Sequence, residues 1–205
     1  ADSLLSRSRN ETNHRTRVDL LTSASLLFLF HKPDTAFHIS SEAVKLAEAS
    51  DDETARAMAY TSLSAVYLIK DNNEQTLHYA LAALRISEST RLSPNLMASI
   101  HRKLGYVYRN QNEDRKSIDA YKQAISYSTQ AGNLHDLAGA ASNLGQIFAK
   151  IKRTDSALLY HQQALTIAKN NNYVDIAVRC YINIINLHDE NENNKQGEKR
   201  KRNTV

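Results

Sequence analysis

In 205 residues there is no tryptophan, one cysteine, two prolines and five glycines, and each shortage removes a class of structure. The lone Cys180 has no partner for an intrachain disulfide, and its place in an apolar helical pattern predicts a buried thiol. So few Gly and Pro leave few places for tight turns, which points to an all-helical chain. Apolar runs are short as well. The longest, around Leu26 to Phe30, falls far below the ~20 residues that a membrane helix needs, so no membrane insertion is expected. Net charge is only +4, and the run Lys199-Arg200-Lys201-Arg202 alone accounts for it. The chain has no initiator Met and no signal sequence, which reads as a processed chain or an excised fragment.

The signatures of catalysis are missing too. There is no glycine-rich phosphate loop and no serine in a nucleophile elbow. The eight histidines show neither His-Glu-x-x-His nor any other metal-ligand spacing. No catalytic residue, metal or cofactor is therefore expected. His101 and His161 fall at packing positions, where a satisfied, partly buried imidazole is the expectation.

What the chain does have is an internal ruler. Ala24, Ser64, Gly105 and Gly145 are separated by 40, 41 and 40 residues. Twelve residues after each comes another small residue, Ala36, Thr76, Ser117 and Ala157, and seven further on Ala43, Ala83, Ala124 and Ala164. Small residues at these intervals let two helices approach closely. Leu27, Tyr67, Tyr108 and Phe148, three after the first small position, can wedge between them. The pattern predicts helices near 17–31, 34–50, 53–71, 74–91, 94–111, 114–131, 135–151 and 154–170. Ser93-Pro94 supplies a cap and a first-turn proline, Asp34, Asn73, Asp114 and Thr154 stand at helix starts, and Gly132 can close a helix. A ninth helix begins near Val174 and ends near His188, and its apolar side of Cys180, Tyr181, Ile184 and Leu187 lacks a cover. Continuing chain or a second copy, giving a homodimer, would cover it.

Leu104-Gly105-x-x-Tyr108, followed by Ser117-x-x-x-Tyr121-x-x-Ala124, resembles the tetratricopeptide repeat, lengthened here from about 34 to roughly 40 residues per unit. The family's frequent Trp position holds Leu20, Tyr60, His101 and Ala141. The resemblance implies an all-α, right-handed superhelical solenoid of antiparallel helix pairs, with units at about 17–51, 52–92, 93–132 and 133–172 and an extra helix at 174–188. A polar segment, 1–16, precedes them and a disordered polar and basic tail, 189–205, follows.

In this family the first helix of each unit lines a concave groove. Carried over by position, the early groove is apolar, with Val18, Leu21, Phe28, Leu29, Met58, Leu68 and Ile69, and packing of Leu21, Phe28 and Leu29 under residues 1–16 or an upstream repeat is favoured there over a ligand pocket. The later groove is basic and amide-rich: Arg102, Lys103, Tyr106, Arg109 and Asn110, then Asn143, Gln146 and Lys150, then Arg179, Asn183 and Asn186. Amide side chains both donate and accept, so a row of them can pair with an extended peptide, and Arg102 with Arg109 could hold a carboxylate or phosphate. The clamp by which some family members hold acidic chaperone tails is excluded, because its positions carry Leu21, Ser25, Ser62, Ser99 and Lys103, of which only Lys103 fits. The resemblance thus implies a non-catalytic module binding a protein or peptide, as in the sensory or scaffolding regions of bacterial regulators, whether periplasmic or cytoplasmic. A nucleic-acid-associated regulator, using the basic groove and the basic tail, is the less favoured alternative.

Overall fold

The computed structural model describes the backbone of residues 1–202 and the side chains of residues 1–192. Among the described residues there are ten helices and no strand. They are α1 (Asp2–Asn10), α2 (His14–Phe28), α3 (Pro33–Glu48), α4 (Glu53–Ile69), α5 (Asn73–Ile86), α6 (Pro94–Asn110), α7 (Asp114–Ala131), α8 (Leu134–Lys150), α9 (Thr154–Asn170) and α10 (Val174–Arg202).

The turns are built from one repeated device. Asp71, Asn112, Gly132, Lys152 and Asn172 all have φ between 55° and 65°, the left-handed conformation that stops a helix. After each, the next backbone N–H returns to the carbonyl five residues back: Asn72 to Tyr67, Glu113 to Tyr108, Asn133 to Ser128, Arg153 to Phe148 and Tyr173 to Ala168, at 2.8–3.0 Å. Polar side chains then start several of the following helices. Asn72 accepts from the N–H of Gln75, Asn133 from that of Asp136 and Ser93 from that of Leu96. Pro94 occupies the first turn of α6, as the sequence predicts.

The chain divides into two compact units, residues 1–113 and 114–205. In the first, α2 packs on α3, α4 on α5, and the first helices α2, α4 and α6 also touch in succession. Val18, Leu21, Ala24, Ala43, Ala47, Ala55, Ala59 and Leu63 form its core. Hydroxyls tie the pairs together: Ser25 Oγ donates to the Ala36 carbonyl at 3.0 Å, and Ser64 Oγ to the Thr76 carbonyl at 2.9 Å. Tyr67 wedges between helices as expected, edge-on to Phe37 and stacked on Tyr79, each at 5.7 Å. In the second unit α8 packs on α7 and α9, and α10 on α9 and α8. Tyr121, Leu144, Ile147 and Phe148 form one cluster there, and Ala138, Ala141, Ala164, Ile176 and Cys180 another. Phe148 stacks on Tyr160 at 5.5 Å.

Residues 2–10 form α1, which packs on α2, with Leu4 and Leu5 against the core that contains Leu21, so that part of the N-terminal segment covers that end of the chain. Three expectations are corrected. Leu27 is 55% exposed and wedges nothing. The reason is a slip of one residue in the first pair. Ser25, not Ala24, makes the bond that Ser64 makes in the next pair, so Phe28 takes the place of Tyr67 and packs on the core. Residues 189–202 continue α10 instead of forming a disordered tail. Glu, Lys, Gln and Arg are good helix formers, and extending a packed helix avoids the cost of nucleation. Lastly, Cys180 and Leu187 are buried, and the apolar side chains left exposed on α10 are Val174, Val178, Tyr181, Ile182 and Ile185.

Candidate functional site

The slip in the first pair also moves the groove. Val18, Leu21 and Leu29 are buried in the core, not presented on the face. One residue further on, Asp19, Thr22 and Ser23 line a groove of about 610 Å³ in the first unit, together with Leu26, Met58, Thr61, Ser62, Leu92, Leu96, Ser99 and Lys103. These side chains come mainly from α2, α4 and α6, the first helices of successive pairs, with Leu92 from the segment before α6. Its exposed lining is more apolar than polar, with hydroxyls of Thr22, Thr61, Ser62 and Ser99 among the apolar side chains and Arg15 and Arg91 adding charge. Ser62 is 5% exposed, and its Oγ has no hydrogen-bond partner. Lys103 is 6% exposed, and its Nζ donates to Ser99 Oγ at 2.7 Å. Lys103 is therefore a buried, hydrogen-bonded part of the groove lining.

The other groove residues predicted on α6 lie elsewhere. Arg109 sits over the Tyr106 ring at 4.6 Å, and Asn110 donates through Nδ2 to Asn73 Oδ1 at 3.1 Å. Arg102 is half-buried. None of these four lines the 610 Å³ groove, in which Lys103 is the one predicted basic residue.

The second unit has its own polar cavity, of about 320 Å³, bounded by Gln146, Ala149, Lys150, Lys152, His161, Asn183, Asn186, Leu187 and Glu190. It brings together four predicted residues, Gln146, Lys150, Asn183 and Asn186, while Asn143 and Arg179 fall outside its lining. Its cations are matched by carboxylates: Lys150 Nζ lies 2.7 Å from Asp114, and Lys152 Nζ 3.4 Å from Glu190. Arg179 likewise lies 3.8 Å from Asp175.

His161 is the residue that the sequence misread. It is fully buried, yet neither ring nitrogen has a hydrogen-bond partner, so it is not the satisfied imidazole expected. Burial pulls its pKa down to about 4, which keeps the ring neutral at pH 7. Gly145 makes room for it, since a Cβ at 145 would stand 2.8 Å from Cε1 and 2.9 Å from both nitrogens. Cys180 is buried as expected, its Sγ 3.5 Å from Ser142 Oγ, and burial pushes its thiol pKa up. Among the described residues no group of three or more His, Cys, Asp or Glu side chains could hold a metal ion, and no helix is long and apolar enough to cross a membrane.

Helix pairs at this spacing, with small residues at the crossing points and a face built from first helices, define a helical-repeat fold. Residues 96–170 match the tetratricopeptide repeat family model, and the helix pairs outside that stretch are built on the same plan. It is 26% identical over 152 residues to the uncharacterized protein ycf37 of Cyanophora paradoxa, covering 74% of this chain and 83% of the relative. Its fold is similar to that of BtubC (BKLC) from P. vanneervenii, with a TM-score of 0.72 at 17% identity over 90% of this chain and 77% of that one. Aspartyl phosphate phosphatase F from Bacillus subtilis gives a TM-score of 0.69 at 14% identity, with 97% of this chain but only 52% of that one covered.

Proposed function

We propose that this chain is a non-catalytic, peptide-binding region of a larger regulatory protein, and that the partner segment lies on the faces built from first helices. The observation that carries this reading is the 610 Å³ groove across α2, α4 and α6. A lining more apolar than polar, with convergent polar groups, suits the side chains and backbone of an extended segment. Leu26, Met58 and Leu96 would take apolar side chains, and Ser62, Ser99 and Lys103 would meet carbonyl oxygens. In the second unit the amides of Gln146, Asn183 and Asn186 offer the same kind of pairing. The fold likeness to a phosphatase of phosphorylated aspartate supports a place in regulation, and that protein's chemistry is not transferred with it.

The ion pairs favour a peptide over a nucleic acid. Lys150, Lys152 and Arg179 each face a carboxylate, which weakens their pull on phosphates. The Lys199–Arg202 side chains lie outside the described residues. The test is selection of 12-residue peptides on the immobilised protein, followed by calorimetric titration against Leu26→Arg and Met58→Arg. Both substitutions are expected to weaken a selected peptide at least about tenfold, because a charge is forced against an apolar contact. Unchanged affinity in both would place the peptide away from this groove.

A further inference from the structure

The 320 Å³ cavity of the second unit has a chemistry that the peptide-binding reading does not by itself require. Two of its polar groups, on different helices, are buried with nothing to bond: the ring nitrogens of His161 on α9 and Nδ2 of Asn183 on α10. Buried polar atoms in native structures nearly always have partners. Two such groups at one cavity, the first with no exposed surface at all, point to an occupant that supplies what they lack. Size agrees with this, since 320 Å³ far exceeds the ~30 Å³ share of one liquid water.

We propose that this cavity is a subsite for an amide group of a bound polypeptide, either a glutamine or asparagine side chain or a peptide unit, with His161 and Asn183 as its hydrogen-bonding partners. The choice of amide follows from donors and acceptors. A neutral imidazole has one N–H and one lone pair, and a carboxamide nitrogen only donates. The pocket thus presents donors and an acceptor together. A carboxylate could only accept, and an ammonium could only donate; an amide does both. The charge balance points the same way, because Lys150 with Asp114 and Lys152 with Glu190 leave the rim close to neutral. Gln146 and Asn186 add further amides around the mouth. Gly145 contributes by absence, as the His161 ring occupies the space that any side chain at 145 would need.

This inference rests on the peptide-binding reading, and the experiment separates the two. The folded protein, with 15N-labelled histidine and asparagine, is titrated with propanamide and with its isostere propanoate while the His161 ring and Asn183 side-chain signals are followed. Saturable shifts of both signals with propanamide, at least about fivefold weaker with propanoate and absent in His161→Phe, are the expected result. Phe keeps a ring against Gly145 but has no polar atoms to leave unpartnered. The unliganded His161→Phe protein should therefore melt about 2–6 °C higher than wild type. No saturable shift, equal response to the two probes, or a lower melting temperature in His161→Phe would each overturn the assignment. The last outcome would mean that the nitrogens are already satisfied by permanently held water. A selected peptide that binds wild type and His161→Phe equally sinks this inference alone. A propanamide response with no peptide binding at all sinks only the reading on which it was built.

Discussion

Two glycines on one helix test the packing argument directly. Gly139 and Gly145 both lie inside α8, and at Gly139 an added Cβ would meet nothing within 4 Å. Gly139→Ala should therefore stabilise the protein by up to about 1 kcal/mol, the helix-propensity gain. Gly145→Ala collects the same gain but drives a methyl to 2.8–2.9 Å from three atoms of a fully buried ring. Overpacking of a tight core costs about 1–3 kcal/mol, so the net effect should be destabilising, by roughly 1 kcal/mol. The two alanine variants should thus differ by about 2 kcal/mol in urea unfolding followed by circular dichroism, with unchanged m-values. Adding His161→Ala to Gly145→Ala should recover much of the loss in a double-mutant cycle, because the ring is what the methyl strikes. If Gly145→Ala is as stabilising as Gly139→Ala, the close approach of α8 and α9 at this point is wrong.

Acid should weaken the fold through His161. Its folded pKa is lowered to about 4 from an ordinary 6.5, so its contribution is complete above pH 6.5 and is lost as pH falls through 4, because the unfolded chain takes up the proton first. The shift corresponds to about 3 kcal/mol, and the stability gap between His161→Phe and wild type should widen by that order between pH 7.5 and pH 4. Asp71 has φ 55°, so Asp71→Gly should raise stability by about 0.5–1 kcal/mol in the same denaturation assay. Leu4→Ala together with Leu5→Ala should strip α1 from α2 and raise amide exchange across residues 2–10 to near the unfolded rate, with smaller losses in α2.

The repeat was legible in the sequence because its spacing follows from helix contact. Wherever a glycine or serine must sit opposite a small residue on the next helix, the interval survives, and α4 to α9 begin within one residue of their expected starts. Reading failed at the ends, where that constraint is relaxed. In the first pair Ala24 and Ser25 are both small, and the side-chain bond to Ala36 decides between them; its loss in one dimension moved Val18 and Leu21 from the core to the groove. Short α1 has only Leu4 and Leu5 to mark its apolar side, and α10 outlasts its apolar stripe. The candidate sites were only partly visible. The amides of the second unit were recoverable from repeat register, but the unpartnered state of Ser62 and His161 depends on what surrounds them in space. One clue was present: Gly145 opposite a histidine in place of the tyrosine that the third unit carries at Tyr121.

Hydrogen exchange on the protein with a selected peptide bound tests the central claim most directly. Binding along the first helices predicts new protection in residues 14–28, 53–69 and 94–110, with α3 and α5 nearly unchanged. Protection confined to α3 and α5, or spread over no contiguous face, would contradict the groove as the site of partner recognition.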